Sequence, residues 1–327
     1  MMGRPCNCRM SERSRAVTQG DATSCVLTCS RARVSTRALP RRDWAMPHAN
    51  IDVRPINPTI GAVIEGLDLT REMDEGTYAD VRQALLDHLV IVIPEQHITP
   101  AQQLTFARRF GEVEPPHPVF GRVPEQPEVT VIEQDGSADA PYNDIWHTDV
   151  TFREKPAMAS ILHAQVLPVG GGGDTLWSSL QAPYEALSPK IRELIEDMTA
   201  THDYYMSFGE MVLAGPGGIE KLAADIIDLP PQTHPVVRTH PETGRKGLFV
   251  NRTFTKHING LGYVERDYLL RMLCEFAEHP NYQMRHTWTK HDLVMWDNRA
   301  TMHIATSNFI SHRKMHRITV LGDQPYH

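Results

Sequence analysis

His147 and Asp149 stand two residues apart in the run Trp146-His147-Thr148-Asp149-Val150-Thr151-Phe152. The run is β-rich, which predicts a strand, and in a strand residues i and i+2 project from the same face. One imidazole beside one carboxylate can grip a metal, but a third ligand is needed. His303, at the end of Trp296-Asp297-Asn298-Arg299-Ala300-Thr301-Met302-His303, offers it. Two His and one carboxylate on one face of an octahedron leave three positions open, the ligand set associated with non-haem Fe(II) oxygen chemistry. Ten residues further on lies Arg313, in Arg313-Lys314-Met315-His316-Arg317. A buried guanidinium there could clamp the far carboxylate of a keto acid chelated on the metal. Arg317 follows at i+4, on the same side of a predicted strand, with Met315 between.

Plainer readings compete with each of these. The chain has 17 His, so most of them are structural or surface groups. His-x-Asp alone occurs by chance in many proteins, and Asp149 could cap a turn. Arg313 and Arg317 could belong to a solvated basic face with His312, Lys314 and His316. A zinc hydrolase could use His-Asp-His, but it would need a general acid or base and no anion clamp. A non-catalytic, cupin-like metal-binding protein would use the same ligands without turnover.

Taken in order, the motifs resemble the taurine dioxygenase group of Fe(II)/2-oxoglutarate-dependent dioxygenases. The resemblance rests on WHTDVTF, Gly172-Gly173-Asp174-Thr175-Leu176-Trp177, His234-Pro235-Val236-Val237-Arg238-Thr239-His240-Pro241, WDNR followed by His303, and R-x-M-H-R. It runs from about Ile51 to Gly322. It implies a double-stranded β-helix, or jelly roll, with Fe(II), 2-oxoglutarate as co-substrate, and O2. His147, Asp149 and His303 would be the metal ligands. Arg313 would pair with the C5 carboxylate of 2-oxoglutarate, Thr175 would donate a hydroxyl to it, and Trp296 would wall that pocket or serve as a core aromatic. Arg317 and His117 match sulfonate contacts, Asn143 matches a contact nearer the substrate amine, and Val150 joins them at the substrate. Phe120 stands where the taurine enzymes carry Tyr, which favours a more apolar substrate body. The substrate implied is a small organic anion, an alkylsulfonate such as taurine first, a sulfate ester or aryloxyalkanoate second.

Composition sets the outer bounds. The chain has 327 residues, 41% hydrophobic and 22% charged, enough for one large core. Net charge is −7, yet residues 1–45 carry nine Arg against three acids, +6, leaving −13 on the remainder. An acidic body argues against nucleic acid as a main partner. No stretch approaches the length of apolar sequence that spans a membrane, so a soluble protein is expected. Cys6, Cys8, Cys25 and Cys29 lie in the first 45 residues and only Cys274 in the body. A disulfide within the body is excluded, which suits a reducing cytoplasm. The 1–45 segment reads as a disordered or misassigned leader, with Met46 an alternative start, and 46–327 as the dioxygenase-like domain. A homo-oligomer is compatible with these features.

The body reads as mainly β with flanking helices. Helices are expected over Thr77 to Leu89, Gln102 to Phe110, Pro189 to Met198 and Tyr268 to Phe276. Strands are expected at Val90 to Ile93, Val129 to Ile132, Ser160 to Val166, Thr175 to Trp177, Val236-Val237, Leu248 to Val250, His286 to Trp288, Leu293 to Trp296 and Ile318 to Leu321. Gly170 to Gly173 reads as a turn. Tyr204 to Pro231 shows weak periodicity and reads as a long insertion able to cover a site. Many short strands with helices outside them suggest a jelly roll.

Overall fold

The computed structural model describes residues 48–115, 121–136 and 144–327. The 1–45 segment lies outside them. Two short strands, β1 (Asp52–Pro55) and β2 (Ala62–Glu65), lead to α1 (Glu75–His88). Asp74 caps α1 by accepting from the Thr77 amide, and Val81, Ala84, Leu85 and His88 form its buried stripe. Leu89, at φ 66°, ends the helix and turns the chain into β3 (Val90–Ile93). Thr99 and Gln102 form a capping box with Pro100 at the start of α2 (Pro100–Arg108).

The strands β4 (Gly121–Val123), β5 (Gln126–Gln134), β6 (Ala159–Val166) and β7 (Thr175–Ser179) follow, then helices α3 (Gln181–Ala186) and α4 (Pro189–Ile195) and strand β8 (Thr199–His202). Tyr204 to Pro231 is not irregular: it folds as two helices, α5 (Tyr205–Ala214) and α6 (Gly218–Asp228). Beyond them come β9 (Gln232–Pro235), β10 (Val237–Thr239), β11 (Lys246–Leu248), β12 (Thr255–Ile258) and α7 (Tyr263–Ala277). The chain finishes with β13 (Gln283–His286), β14 (Leu293–Asp297), β15 (Thr301–Ala305) and β16 (Arg313–Val320). Relative to expectation, the strands near 248 and 286 end earlier and α7 begins five residues sooner.

The main sheet has eight strands in the order β1-β2-β3-β14-β6-β16-β5-β4, and smaller sheets β13-β7-β15, β12-β8-β9 and β10-β11 complete the structure. Its architecture is the expected cupin-like jelly roll. One face of the main sheet, with Ile91, Ile93, Ile161, Leu293, Met295 and Ile318, packs under α1 and α2. The opposite face carries Val90, Val92, Leu162, Val294, Trp296 and Met315, which pack with Trp177, Met284 and Trp288 of the facing side. Pleating explains the sorting, since alternate residues of each central strand belong to opposite cores. Met315 therefore faces the interior of the roll, and Arg313 and Arg317 share its side of β16. No helix among the described residues is long and apolar enough to cross a membrane.

Candidate metal centre and anion site

The triad assembles, but by a different backbone route from the expected strand. His147 makes only an isolated bridge, to His303, while Asp149 and Val150 form a turn. The two His exchange both backbone hydrogen bonds, His147 N–H to His303 O at 2.9 Å and His303 N–H to His147 O at 2.7 Å. Directly paired residues put their side chains on the same face, and the imidazole centroids lie 4.2 Å apart. The turn then swings Asp149 back towards them. Asp149 Oδ1 lies 3.7 Å from His147 Nε2 and 3.8 Å from His303 Nε2. Among the described residues, this buried trio is the group whose donor atoms converge closely enough to hold a metal.

The surroundings prepare these atoms for a cation. His147 Nδ1 lies 2.8 Å from the Ile145 carbonyl, which can only accept, so Nδ1 carries the proton and Nε2 offers its lone pair. Burial, with His147 alongside, pushes the His303 imidazole down to about 3, and burial lowers His147 as well, so both rings are neutral. Burial, the largest single influence, raises the Asp149 carboxyl, but the Arg317 guanidinium, the two imidazoles and the Ser160 hydroxyl together outweigh it and hold the group below the usual carboxylate range. Arg317 Nη1 is 3.6 Å from Asp149 Oδ1. Two neutral imidazoles and one carboxylate, all facing a common point, fit a divalent iron.

The sequence motif WDNR proves to be the brace of this turn. Asn298, fully buried, accepts from the Asp149 amide at 2.9 Å and donates to the Asp149 and Ala157 carbonyls, each at 3.1 Å. Asp297 takes two hydrogen bonds from the Arg299 guanidinium, at 2.9 and 2.7 Å, and a third from the Arg299 amide at 2.9 Å, and lies 2.9 Å from His240 Nε2. Arg299 continues to Glu242 at 2.7 Å. Buried charges of this kind persist only when paired. Below the turn, Thr151 Oγ1 meets His202 Nδ1 at 2.9 Å and Asn251 Nδ2 at 3.2 Å, and His234 Nε2 meets the Thr151 carbonyl at 3.0 Å. Arg153 pairs with Glu114.

The structure thus gives Asp297, Asn298, Arg299, His202, His234 and Asn251 positions that the sequence reading had not assigned. Only WDNR and the HPVVRTHP run carried a signal for any of them. Trp296 lies against the site: its ring is 4.8 Å from that of His303 and 5.6 Å from that of Trp177.

Arg313 is 4% exposed, and its Nε has no hydrogen-bond partner. No carboxylate among the described residues pairs with it, and burial alone pushes its guanidinium down to about 10. A buried cation without an anion is costly. Gly173 makes room for it: at φ +72° it packs so closely that a Cβ there would lie 2.9 Å from Arg313 Nε. Two residues later, Thr175 is buried, and its Oγ1 accepts a hydrogen bond from Trp288 Nε1 at 3.0 Å. With that lone pair engaged, the Thr175 hydroxyl proton is left to donate elsewhere.

Val150 sits beside Asp149 at φ 50°, an unusual conformation for a β-branched residue. Phe152, two residues on, packs edge-on against Tyr204, Phe208 and Phe254, with centroids 5.2, 6.2 and 5.1 Å away. These aromatics also escaped the sequence reading. His117, Phe120 and Asn143 lie outside the described residues.

A family model described as "Taurine catabolism dioxygenase TauD, TfdA family" matches residues 52–319. The (S)-phenoxypropionate/alpha-ketoglutarate-dioxygenase of Sphingobium herbicidovorans is 32% identical over 287 residues, covering 83% of this chain and 95% of its own. The alpha-ketoglutarate-dependent sulfate ester dioxygenase of Pseudomonas putida is 33% identical over 284 residues, covering 85% and 92%. Among solved structures, a taurine dioxygenase from Burkholderia xenovorans superposes with TM-score 0.72 at 36% identity, covering 84% of this chain and 91% of its own.

Proposed function

The chain belongs to the taurine catabolism dioxygenase TauD, TfdA family, and from that premise we propose how its residues divide the work of a 2-oxoglutarate-dependent iron dioxygenase acting on a small organic anion. His147, Asp149 and His303 hold Fe(II). When bound, the iron with 2-oxoglutarate and O2 supplies the oxidising power to hydroxylate a C–H bond, and the co-substrate leaves as succinate and CO2. Arg313 takes the C5 carboxylate in a charge-assisted pair, and Thr175, oriented by Trp288, donates to the same group. Trp296 closes the wall beside His303 and excludes water. The observation that carries this reading is the buried Arg313, without a carboxylate partner among the described residues, on the same side of one strand as Arg317, which lies at the triad.

Arg317 draws the anionic end of the prime substrate to the metal, and Val150 packs beside it. We assign an alkylsulfonate, taurine or a longer homologue, as that substrate. Hydroxylation of the carbon next to sulfur replaces a C–H by C–OH; loss of the hydroxyl proton then forms the aldehyde C=O as the C–S bond breaks and sulfite leaves. His117 and Asn143 add donors by family resemblance, and Phe120 favours an apolar substrate body. A second reading, a sulfate ester or an aryloxyalkanoate, draws on the aromatic cluster around Phe152 and on the names of the two relatives above.

A substrate panel separates the two. Purified protein with Fe(II), ascorbate and 2-oxoglutarate is offered taurine, pentanesulfonate, hexyl sulfate and phenoxyacetate, and succinate, sulfite, sulfate and phenol are measured. Sulfite release from pentanesulfonate at a rate rivalling taurine is the expected result. Coupled turnover on phenoxyacetate alone overturns the sulfonate assignment, and no succinate with any substrate overturns the reaction class.

A further inference from the structure

The two oxygens of Asp149 live in different surroundings. Oδ1 faces His147 Nε2, His303 Nε2 and Arg317 Nη1, at 3.7, 3.8 and 3.6 Å. Oδ2 accepts a 2.8 Å hydrogen bond from Ser160 Oγ. Ser160 is fully buried near the start of β6, held between Trp296 of β14 and Thr319 of β16, so its hydroxyl cannot drift. Asn298 fixes the Asp149 backbone through both its amide and its carbonyl. These contacts hold the Asp149 backbone in place and engage Oδ2, while Oδ1 is the oxygen that meets the imidazoles and Arg317.

We propose that Ser160 is a positioning residue that makes Asp149 a one-oxygen metal ligand. The consequence concerns coordination number rather than metal affinity. Two imidazoles and one carboxylate oxygen occupy three of six octahedral positions, leaving room for a chelating keto acid and O2. If Asp149 chelated through both oxygens, it would take one of the three positions the reaction needs. The Ser160 hydroxyl, by occupying Oδ2, keeps that position open. A hydroxyl suits the task, because it donates to the carboxylate without adding a charge beside the metal.

The inference rests on the proposed iron and 2-oxoglutarate chemistry, and the test separates the two. Anaerobic Fe(II) titration, followed through tryptophan fluorescence with Trp296 beside His303, gives metal affinity; titration of the loaded protein with 2-oxoglutarate, followed by its visible charge-transfer band, gives co-substrate affinity. For Ser160→Ala we expect Fe(II) affinity within about threefold of wild type or tighter. We expect 2-oxoglutarate affinity weakened about tenfold or more, so that the roughly 10- to 100-fold effect an outer partner of a metal ligand has on metal affinity or activity falls here on the co-substrate. Ser160→Thr, which retains the hydroxyl, should recover most of the co-substrate affinity. Ser160→Cys preserves volume with a weak donor and is read in the same way if Ser160→Ala does not fold. Equal 2-oxoglutarate affinity in the Ala or Cys variant and wild type overturns the proposal. So does parallel loss of metal and co-substrate, which is the signature of a merely structural residue. A wild-type protein that binds neither Fe(II) nor 2-oxoglutarate instead refutes the reaction class.

Discussion

Replacing Arg313 by Met should change stability and co-substrate binding in opposite directions. The guanidinium is buried on β16 with no carboxylate partner among the described residues, and burial pushes it from the ordinary 12.5 down to about 10. That difference corresponds to about 3 kcal/mol of unfavourable burial of the charged form in the metal-free protein. Methionine fills a similar volume without the charge, so the metal-free variant should be more stable by about 1–3 kcal/mol, the range seen when buried ions are replaced by packed apolar groups. In the loaded protein the balance reverses. The C5 carboxylate would enter a shielded pocket and find no cation, which costs about 3–5 kcal/mol, or roughly a hundredfold to several thousandfold in affinity.

Calorimetric melting of metal-free wild type and variant measures the first effect, and anaerobic titration of the visible band with 2-oxoglutarate measures the second. A 2-oxoglutarate affinity within threefold of wild type would refute the clamp. A variant destabilised by more than about 2 kcal/mol would show that Arg313 serves the fold rather than a ligand, since surface or core partners would then be holding it.

Trp288→Phe frees the Thr175 hydroxyl to turn away, and with one neutral hydrogen bond contributing about 1 kcal/mol, the KM for 2-oxoglutarate should rise roughly fivefold while the prime-substrate KM holds; an unchanged 2-oxoglutarate KM refutes the orienting role. Asn298→Ala strands the Asp149 amide and two carbonyls inside the protein, so it should cost about 3 kcal/mol or more and lower Tm by several degrees, read by melting of the metal-free protein. The metal-free protein should also lose stability in mild acid. His303 and His163 are held at about 3 and about 4 against 6.5 when unfolded, so between these values the unfolded chain binds more protons and stability falls as pH drops. Each contributes a loss of about 2 kcal/mol by pH 5, measurable by denaturant titration at pH 7 and pH 5; equal midpoints would refute the assignment of neutral buried rings.

The convergence of His147, Asp149 and His303 and the shared side of Arg313 and Arg317 were legible because metal and anion chemistry restrict residue type, and because β16 keeps its period of two through Arg313, Met315 and Arg317. The run from Trp146 to Phe152 was misread as a strand for a definite reason. Its β-branched and aromatic residues favour extended backbone, but Asn298, 149 residues away in sequence from Asp149, supplies the hydrogen bonds that bend it into a turn. Ser160 gave no signal at all, since its value lies in a cross-strand position that only the folded sheet creates. Tyr204 to Pro231 failed differently. Ile219, Leu222, Ile226 and Ile227 have helical spacing, but Gly215-Pro216-Gly217-Gly218 before them and Pro230-Pro231 after them drew the reading towards a loop.

If Arg313 and Arg317 each take an anion as proposed, their place on one strand keeps the two anions apart. Four residues along β16 correspond to about 13 Å of backbone at roughly 3.3 Å per residue, so Arg313 and Arg317 leave the strand at well-separated points. Arg317 reaches Asp149 and therefore belongs to the metal end, whereas Arg313 lies beside the glycine turn at Gly173. Pairing of β16 with both β5 and β6 locks that spacing, because a one-residue slip would turn both arginines out of the roll and bring Lys314 and His316 inside. The distance between the two proposed anion positions is thus set by sheet register rather than by loop conformation. Loops around such a site can vary to admit sulfonates, sulfate esters or aryloxyalkanoates while the placement of the keto acid relative to the metal stays the same.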